Sequence, residues 1–92
     1  MGTEILDELF AVIEERRDNP RSGSYTSRIL KSDRVLDKVD EEAAEFIKAV
    51  KNEKDEAIVH EAADLLYHVM VALAAKGIKF EAVMDELKRR RR

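Results

Sequence analysis

The sequence has 92 residues, with 17 basic and 20 acidic side chains, a net charge of −3 and no cysteine. These numbers indicate one domain, residues 1–92, and exclude a disulfide framework and a thiolate metal site. The nearly balanced charge argues against nucleic acid as a partner. The lack of a basic-then-apolar N-terminus, and of an apolar run of roughly 20 residues, predicts a soluble cytoplasmic protein without a membrane partner.

The first predicted helices flank a loop. Thr3 is placed to cap a helix that runs to about Asp18, since threonine is a common N-cap residue. One side of this helix is apolar and consists of Ile5, Leu6, Leu9, Val12 and Ile13. The tract from Asn19 to Gly23 interrupts it with proline and glycine. Ser24 or Thr26 then caps a short helix that ends near Lys31.

Three longer helices are predicted to follow. Ser32 is expected to cap one from Asp33 to about Asn52, and Asp55 to open the next, which ends at Lys76 before Gly77. A last helix covers roughly Phe80 to Arg90, and the basic run Lys88–Arg92 complements the negative end of its dipole. No segment has sustained alternation of period two. The predicted fold is therefore all-α, with four to five helices.

The apolar residues of the two middle helices predict an oligomer. The helix from Asp33 has one apolar stripe at 100° per residue, which consists of Val35, Leu36, Val39, Ala43, Phe46, Ile47 and Val50. The next helix is apolar nearly all round from Leu65 to Ala75. A helix of that kind must be covered on several sides, and a short chain has little with which to cover it. We therefore predict a core of the four-helix-bundle type completed by a second copy, as a homodimer or higher oligomer.

Acidic residues recur beside these stripes. Glu41, Glu42 and Glu45 lie on the first middle helix, and Glu61 and Asp64 on the second. Residues three or four apart share a helix face, so antiparallel packing brings the two sets together. Carboxylates that approach one another require a positive counterion, and oxygen ligands suit Mg²⁺. The pattern predicts a magnesium site, although acids on solvated helix faces produce similar spacings in a chain this acidic.

The positions of the two histidines argue against a di-iron centre. Iron sites in helical bundles use Glu-x-x-His pairs, and no acid precedes His60 or His68 at that spacing. His68 extends the line of acids by one turn and is either a hydrogen-bonded core histidine or a site residue. His60 is predicted to be a surface residue.

Two tracts resemble a known family. Lys38–Glu45 (KVDEEAAE) followed by Glu61–His68 (EAADLLYH) is similar to the phosphoribosyl-ATP pyrophosphatases of histidine biosynthesis, which are MazG-like all-α nucleotide pyrophosphohydrolases. Ser24-Tyr25-Thr26 matches the same branch, and the similarity extends from Leu9 to Leu87. The chain departs from the family pattern at Asp40, where a small residue is usual.

The resemblance implies an activity and a set of site residues. The reaction would be hydrolysis of phosphoribosyl-ATP to phosphoribosyl-AMP and pyrophosphate in the cytoplasm, with Mg²⁺ as cofactor or Mn²⁺ in its place. The resemblance makes Glu42, Glu45, Glu61 and Asp64 the metal ligands, with Glu41 a further ligand or the base that orients water. It also assigns substrate binding to Ser24, Tyr25, Thr26, Arg28, Lys38 and His68.

Two other functions remain open from the sequence. A house-cleaning hydrolase of noncanonical nucleoside triphosphates would use the same metal ligands, because they contact phosphates rather than the base or the second ribose. A non-catalytic helical interaction module would leave the acids solvated. That alternative is disfavoured because unpaired charge beside an apolar seam is costly.

Overall fold

Five helices make up the described part of the protein. The computed structural model describes residues 2–91, within which no strand occurs. The helices are α1 (Glu4–Asp18), α2 (Tyr25–Lys31), α3 (Val35–Asn52), α4 (Asp55–Ala75) and α5 (Phe80–Arg90). The predicted all-α fold is confirmed. Arg92, the end of the predicted basic run, lies outside the described residues.

Two helix ends follow their predicted local signals. The Ser24 side chain caps α2 by accepting a hydrogen bond from the backbone N–H of Ser27 at 3.1 Å. At the end of α4, Gly77 has a φ of +74°, a conformation that costs glycine little. The backbone N–H of Ile78 then donates to the carbonyl of Leu73 at 3.0 Å, which closes the helix as a Schellman motif.

Of two other predicted caps, Thr3 is confirmed in position only, and Ser32 is wrong. Thr3 occupies the N-cap position of α1, but its side chain accepts no cap hydrogen bond, because its backbone is already helical. Helix α3 begins at Val35 rather than at Asp33, with Arg34 at its N-cap. The Ser32 hydroxyl instead donates to the carbonyl of Ile29 at 2.8 Å and accepts from the N–H of Arg34 at 3.1 Å. Ser32 therefore fixes the turn between α2 and α3.

The core lies where α1 and α5 pack on the C-terminal half of α4. Ile13, Met70 and Val71 are fully buried, and burial of a side chain of this size stabilises a fold by about 1.5–3 kcal/mol. The rings of Phe10 and Phe80 stack with centroids 5.7 Å apart. These contacts hold α4 in place. The two-residue connection between α3 and α4 makes them an antiparallel hairpin. This is the packing that the sequence predicts will bring the two sets of acids together.

Part of the predicted core is exposed in one protomer. Leu36, Ile47 and Val50 of the α3 stripe are 73%, 54% and 52% exposed, and Ile5 and Val12 of α1 are also exposed. On α1 the buried side is centred on Phe10 and Ile13, and on α3 Val35 and Ala49 are the buried residues. The exposed residues of the α3 stripe, Leu36, Ile47 and Val50, are thus left largely uncovered by the other described helices.

Helix α4 is unusually apolar for its length. By length and composition alone it could cross a membrane, and only 22% of its most apolar 18-residue window is buried within the protein. The core helix of a soluble protein meets the same criterion. Glu61 and Asp64 lie within α4, and charged residues are expensive at membrane depth, which argues against a membrane span here.

Candidate active site

The predicted acids meet on the hairpin of α3 and α4. Partial burial raises the pKa of Glu61 above its ordinary value, and the neighbouring charges of Glu42, Asp64 and Glu45 raise it further, against an opposing effect of His60. Like charges have this effect only at close range. Glu42, Glu45 and Asp64 are therefore near enough to act on the charge of Glu61, and these four predicted metal ligands form what we call the acidic seam.

The tightest group in the seam includes an unpredicted member. Ligand atoms of His60, Glu61 and Asp64 lie within 4.8 Å of one another. His60 Nε2 is 3.3 Å from Asp64 Oδ2 across one turn of α4. The prediction that His60 is a surface residue is correct as to exposure, since its side chain is 70% exposed. The i, i+4 spacing of His60 and Asp64 was the available signal for their contact.

These side chains fit a hard divalent cation. They supply carboxylate oxygens and one imidazole nitrogen, and Mg²⁺ and Mn²⁺ favour oxygen donors. The seam is reachable from solvent, because the Asp64 side chain is 41% exposed. The raised pKa of Glu61 shows that negative charge is unfavourable at its carboxylate, and a bound cation would stabilise that charge.

Glu41 lies apart from this seam. Its carboxylate accepts from Arg34 Nη2 at 3.1 Å and from Lys38 Nζ at 3.3 Å. The hydrogen bond to Glu41 also raises the pKa of Lys38. Lys38 Nζ is 3.7 Å from Glu42 Oε2 as well. Lys38 therefore stands at the border between the seam and a neighbouring cationic region.

His68 links α2 to the backbone of Asp64. The structure places Tyr25 Oη 3.0 Å from His68 Nε2, and His68 Nδ1 2.8 Å from the carbonyl oxygen of Asp64. A carbonyl oxygen can only accept, so Nδ1 carries a proton and in the neutral ring Nε2 accepts from the Tyr25 hydroxyl. His68 is 6% exposed. It orients Tyr25 rather than facing solvent.

The remaining predicted substrate residues divide into two groups. Ser24 caps α2, and the Thr26 hydroxyl forms a hydrogen bond with the hydroxyl of Tyr67. Both hydroxyl groups thus have hydrogen-bond partners within the protein. Tyr25, Arg28 and Lys38 instead line an open pocket between α2 and α3.

This pocket has a volume of about 430 Å³ and adjoins the acidic seam at Lys38. The guanidinium of Arg28 lies over the Tyr25 ring, with Cζ 5.9 Å from the centroid. Arg34, which was not among the predicted site residues, adds a third cation to the lining. Its position one helical turn before Lys38 was a signal for a shared face. The complete lining is Tyr25, Arg28, Ile29, Ser32, Arg34, Lys38 and Glu41.

Comparison with known proteins covers nearly the whole chain. The family model of phosphoribosyl-ATP pyrophosphohydrolase matches residues 6–91. A phosphoribosyl-ATP pyrophosphatase of Methanocella arvoryzae is 47% identical, with 97% of this chain and 98% of the relative aligned. One of Methanoculleus marisnigri is 50% identical over 96% of this chain and 95% of the relative.

A longer relative has the same similarity in one part only. The histidine biosynthesis bifunctional protein HisIE of Parasynechococcus marenigrum is 49% identical over 91% of this chain, and the match covers 39% of the relative. Both kinds of relative align across the acidic seam and the pocket.

Proposed function

The chain belongs to the phosphoribosyl-ATP pyrophosphohydrolase family, and on that premise we propose that it hydrolyses phosphoribosyl-ATP to phosphoribosyl-AMP and pyrophosphate. Water adds across the bond between the α- and β-phosphates, so one oxygen bridge is broken and two phosphate ends are formed. The observation that supports this proposal best is the acidic seam. Together with partial burial, its carboxylates raise the pKa of Glu61, and a pocket lined by cations adjoins the seam at Lys38.

The seam supplies the metal ligands. Glu42, Glu45, Glu61 and Asp64 would hold Mg²⁺ or Mn²⁺, with His60 at the edge of the set. When bound, such a cation polarises phosphoryl oxygens and lowers the pKa of a coordinated water. The protein's own residues then position the substrate. The contacts among these residues in the free protein indicate which of them can contact the substrate.

Lys38 is the residue best placed to bind phosphate beside the seam. Its ammonium contacts both Glu41 and Glu42, so it stands where a phosphate on the metal would meet a positive charge. Such pairing stabilises the negative charge that develops during phosphoryl transfer. Glu41 keeps Lys38 and Arg34 in place between turnovers, which is the role that its contacts support.

Tyr25 orients the organic part of the substrate. Its ring is 41% exposed at the pocket, while its hydroxyl is fixed to His68. Because His68 also bonds to the backbone of Asp64, the ring and the seam are held in one arrangement. A rigid aromatic face of this kind offers a base or a sugar a packing surface at little cost in side-chain entropy.

A house-cleaning hydrolase would use the same seam, so the metal ligands do not distinguish the two activities. The relatives named phosphoribosyl-ATP pyrophosphatase, at 47% and 50% identity, favour phosphoribosyl-ATP. A non-catalytic module is disfavoured by the clustering of acids around Glu61.

The active protein is proposed to be a cytoplasmic homodimer. Both helices of the hairpin carry exposed apolar residues, and on α3 these are Leu36, Ile47 and Val50. On α4 they include Val59 and Leu66, at 67% and 41% exposure. Each such side chain gains about 1.5–3 kcal/mol on full burial. A second copy of the hairpin would cover them and form a four-helix core.

A substrate panel tests the proposal. Purified protein with Mg²⁺ should release pyrophosphate from phosphoribosyl-ATP at least about tenfold more efficiently, in kcat/KM, than from ATP or dATP, a difference equivalent to about 1.4 kcal/mol. A preference for ordinary nucleoside triphosphates would instead identify a house-cleaning hydrolase. No turnover with any of these compounds would favour the interaction module.

A further inference from the structure

The charged residues that line the pocket between α2 and α3 are mostly cations. Its lining has three cations, Arg28, Arg34 and Lys38, and one carboxylate, Glu41. Carboxylates next to the pocket also pair with two of these cations, Asp37 with Arg34 and Glu42 with Lys38. Within residues 2–91, Arg28 is therefore the lining cation without an ion-pair partner. A phosphate monoester carries a charge of about −1.5 to −2 at pH 7, and such a group would meet the unpaired charge of Arg28.

The cations are already arranged to meet such a group. Arg34 Nη2 and Lys38 Nζ converge on Glu41 from two directions, at 3.1 and 3.3 Å, and Asp37 lies 3.6 Å from Arg34 Nε. Within residues 2–91 the guanidinium of Arg28 forms no ion pair and rests over the Tyr25 ring. Guanidinium groups bind phosphate through two parallel N–H donors, and both arginines have donors available.

The pocket also has an apolar wall. Ile29 is buried beneath it, and the Tyr25 ring forms one side. Its volume of about 430 Å³ falls within the range of about 300–1,000 Å³ that is typical of small-molecule sites. That combination of a cationic end and an apolar wall fits a sugar phosphate better than a bare phosphate ion.

The proposed substrate has phosphate at two ends, a triphosphate on one ribose and a single ester on the other. The acidic seam fits the triphosphate, because acids bind it only through a cation. We infer that the cationic pocket binds the other end, the phosphoribosyl group, with Arg28 and Arg34 on its 5′-phosphate and Tyr25 against its ribose. This inference rests on the proposed function for the identity of the substrate. It makes Arg34 a residue that determines specificity, since ordinary nucleoside triphosphates have no such ester.

The kinetic test uses two substrates that differ in one group. Phosphoribosyl-ATP is compared with ribosyl-ATP, which lacks only the 5′-phosphate of the second ribose. Wild type should favour phosphoribosyl-ATP by about tenfold or more in kcat/KM, the size of one or two charged hydrogen bonds. In Arg34→Gln and Arg28→Gln the preference should shrink, because kcat/KM should fall for phosphoribosyl-ATP and not for ribosyl-ATP. Most of that fall should come from a higher KM. Arg34→Lys should recover part of the preference.

Arg90→Gln is the matched control. Arg90 is also an exposed arginine paired with a helix glutamate, at 2.8 Å from Glu86, but it lies on α5 and does not line the pocket. It should retain the wild-type preference. Equal losses on both substrates in the Arg34 and Arg28 variants would overturn the inference, because the cations would then act on the triphosphate or on the fold.

A binding test needs no activity. Ribose 5-phosphate, added to metal-free protein in EDTA, should shift the Nε–Hε resonances of Arg28 and Arg34 in NMR spectra, and ribose should not. Its affinity should fall by about tenfold in Arg34→Gln and stay unchanged in Arg90→Gln. Absence of binding at these residues would overturn the inference even if phosphoribosyl-ATP is hydrolysed. Tighter binding of pyrophosphate at the same residues would overturn it too, as the pocket would then serve the triphosphate. Binding of ribose 5-phosphate without any hydrolysis would support the pocket and refute the proposed activity.

Discussion

The acidic seam and the cationic pocket treat charge in opposite ways. In the pocket, Glu41 neutralises Arg34 and Lys38 at hydrogen-bonding distance. In the seam, carboxylates are gathered so that Glu42, Asp64 and Glu45 each raise the pKa of Glu61. Opposite charges that pair stabilise the free protein, whereas like charges that cluster destabilise it. The proposed function accounts for this difference, since on that proposal the seam binds a cation and the pocket binds an anion.

The largest expected effect comes from removing a ligand of the seam. Asp64→Asn or Glu61→Gln keeps the size of the side chain but lowers its affinity for a divalent cation. Because loss of even an outer-shell partner costs about 10–100-fold, kcat should fall by at least about 100-fold. Pyrophosphate release under saturating Mg²⁺ measures this. Glu53→Gln, at an exposed acid that caps the end of α3, should retain full activity. Similar activity in all three variants would contradict the metal site and would indicate that the acids only form a solvated helix face.

The next effect is on stability. A ligand that binds only the folded state stabilises it by mass action, by about 2.7 kcal/mol at 100 times its Kd. Thermal unfolding of wild type should therefore shift upwards on addition of Mg²⁺, and Asp64→Asn should lose most of the shift. The same scans with Ca²⁺ and with Na⁺ at equal ionic strength separate binding from screening. A shift that persists in Asp64→Asn would place the cation elsewhere.

The pH dependence of metal-free stability gives a smaller effect with a definite sign. The pKa of Glu61 is raised in the folded state above its ordinary value of 4.5. As the pH rises through 4.5, the unfolded chain loses the proton first, so the free energy of unfolding falls until the pH passes the raised pKa. Glu61→Gln should remove this fall. Urea unfolding in EDTA between pH 4 and pH 8, roughly the range in which carboxylates and histidines titrate, measures it. A steeper fall in the variant than in wild type would contradict the clustering of charges.

The smallest effect concerns the link between the two regions. Tyr25→Phe removes the hydroxyl that bonds to His68 Nε2 at 3.0 Å, which should cost about 1 kcal/mol of stability and raise KM more than it lowers kcat. His68→Gln should act through the same bond, so the double variant should lose less than the sum of the two single losses. Strict additivity in both stability and KM would show that Tyr25 and His68 act separately.

Much of the fold was predictable because its signals are local. Gly77 and Ser24 mark helix ends through their own backbone and side-chain chemistry, and the five helices follow from such signals. The start of α3 was less predictable. Ser32 had two possible uses, as a cap for α3 or as a bridge to Ile29, and only the packing of α2 decides between them. The exposure of Leu36, Ile47 and Val50 was not predictable either, because the spacing of a stripe does not show which of its residues another helix covers.

The candidate site divides in the same way. The acids of the seam were predictable, because i, i+3 and i+4 spacing on two helices defines their faces. The pocket was not, since it depends on how α2 docks against α3. Arg34 precedes α3 and reaches Glu41 two turns later, so this contact was indicated only if the helical spacing was continued to the N-cap residue. His68 could not be assigned either, because its role depends on Tyr25 from another helix.

Mn²⁺ titration tests the central claim most directly. Bound Mn²⁺ is counted by electron paramagnetic resonance, and pyrophosphate release from phosphoribosyl-ATP is measured in the same samples of metal-free protein. If the acidic seam is the catalytic metal site, turnover should be absent in EDTA and should rise in proportion to bound Mn²⁺. In Asp64→Asn, both the amount of bound Mn²⁺ and the turnover should stay low as Mn²⁺ is added. Full turnover in EDTA, or an Asp64→Asn protein that binds Mn²⁺ and turns over like wild type, would contradict it.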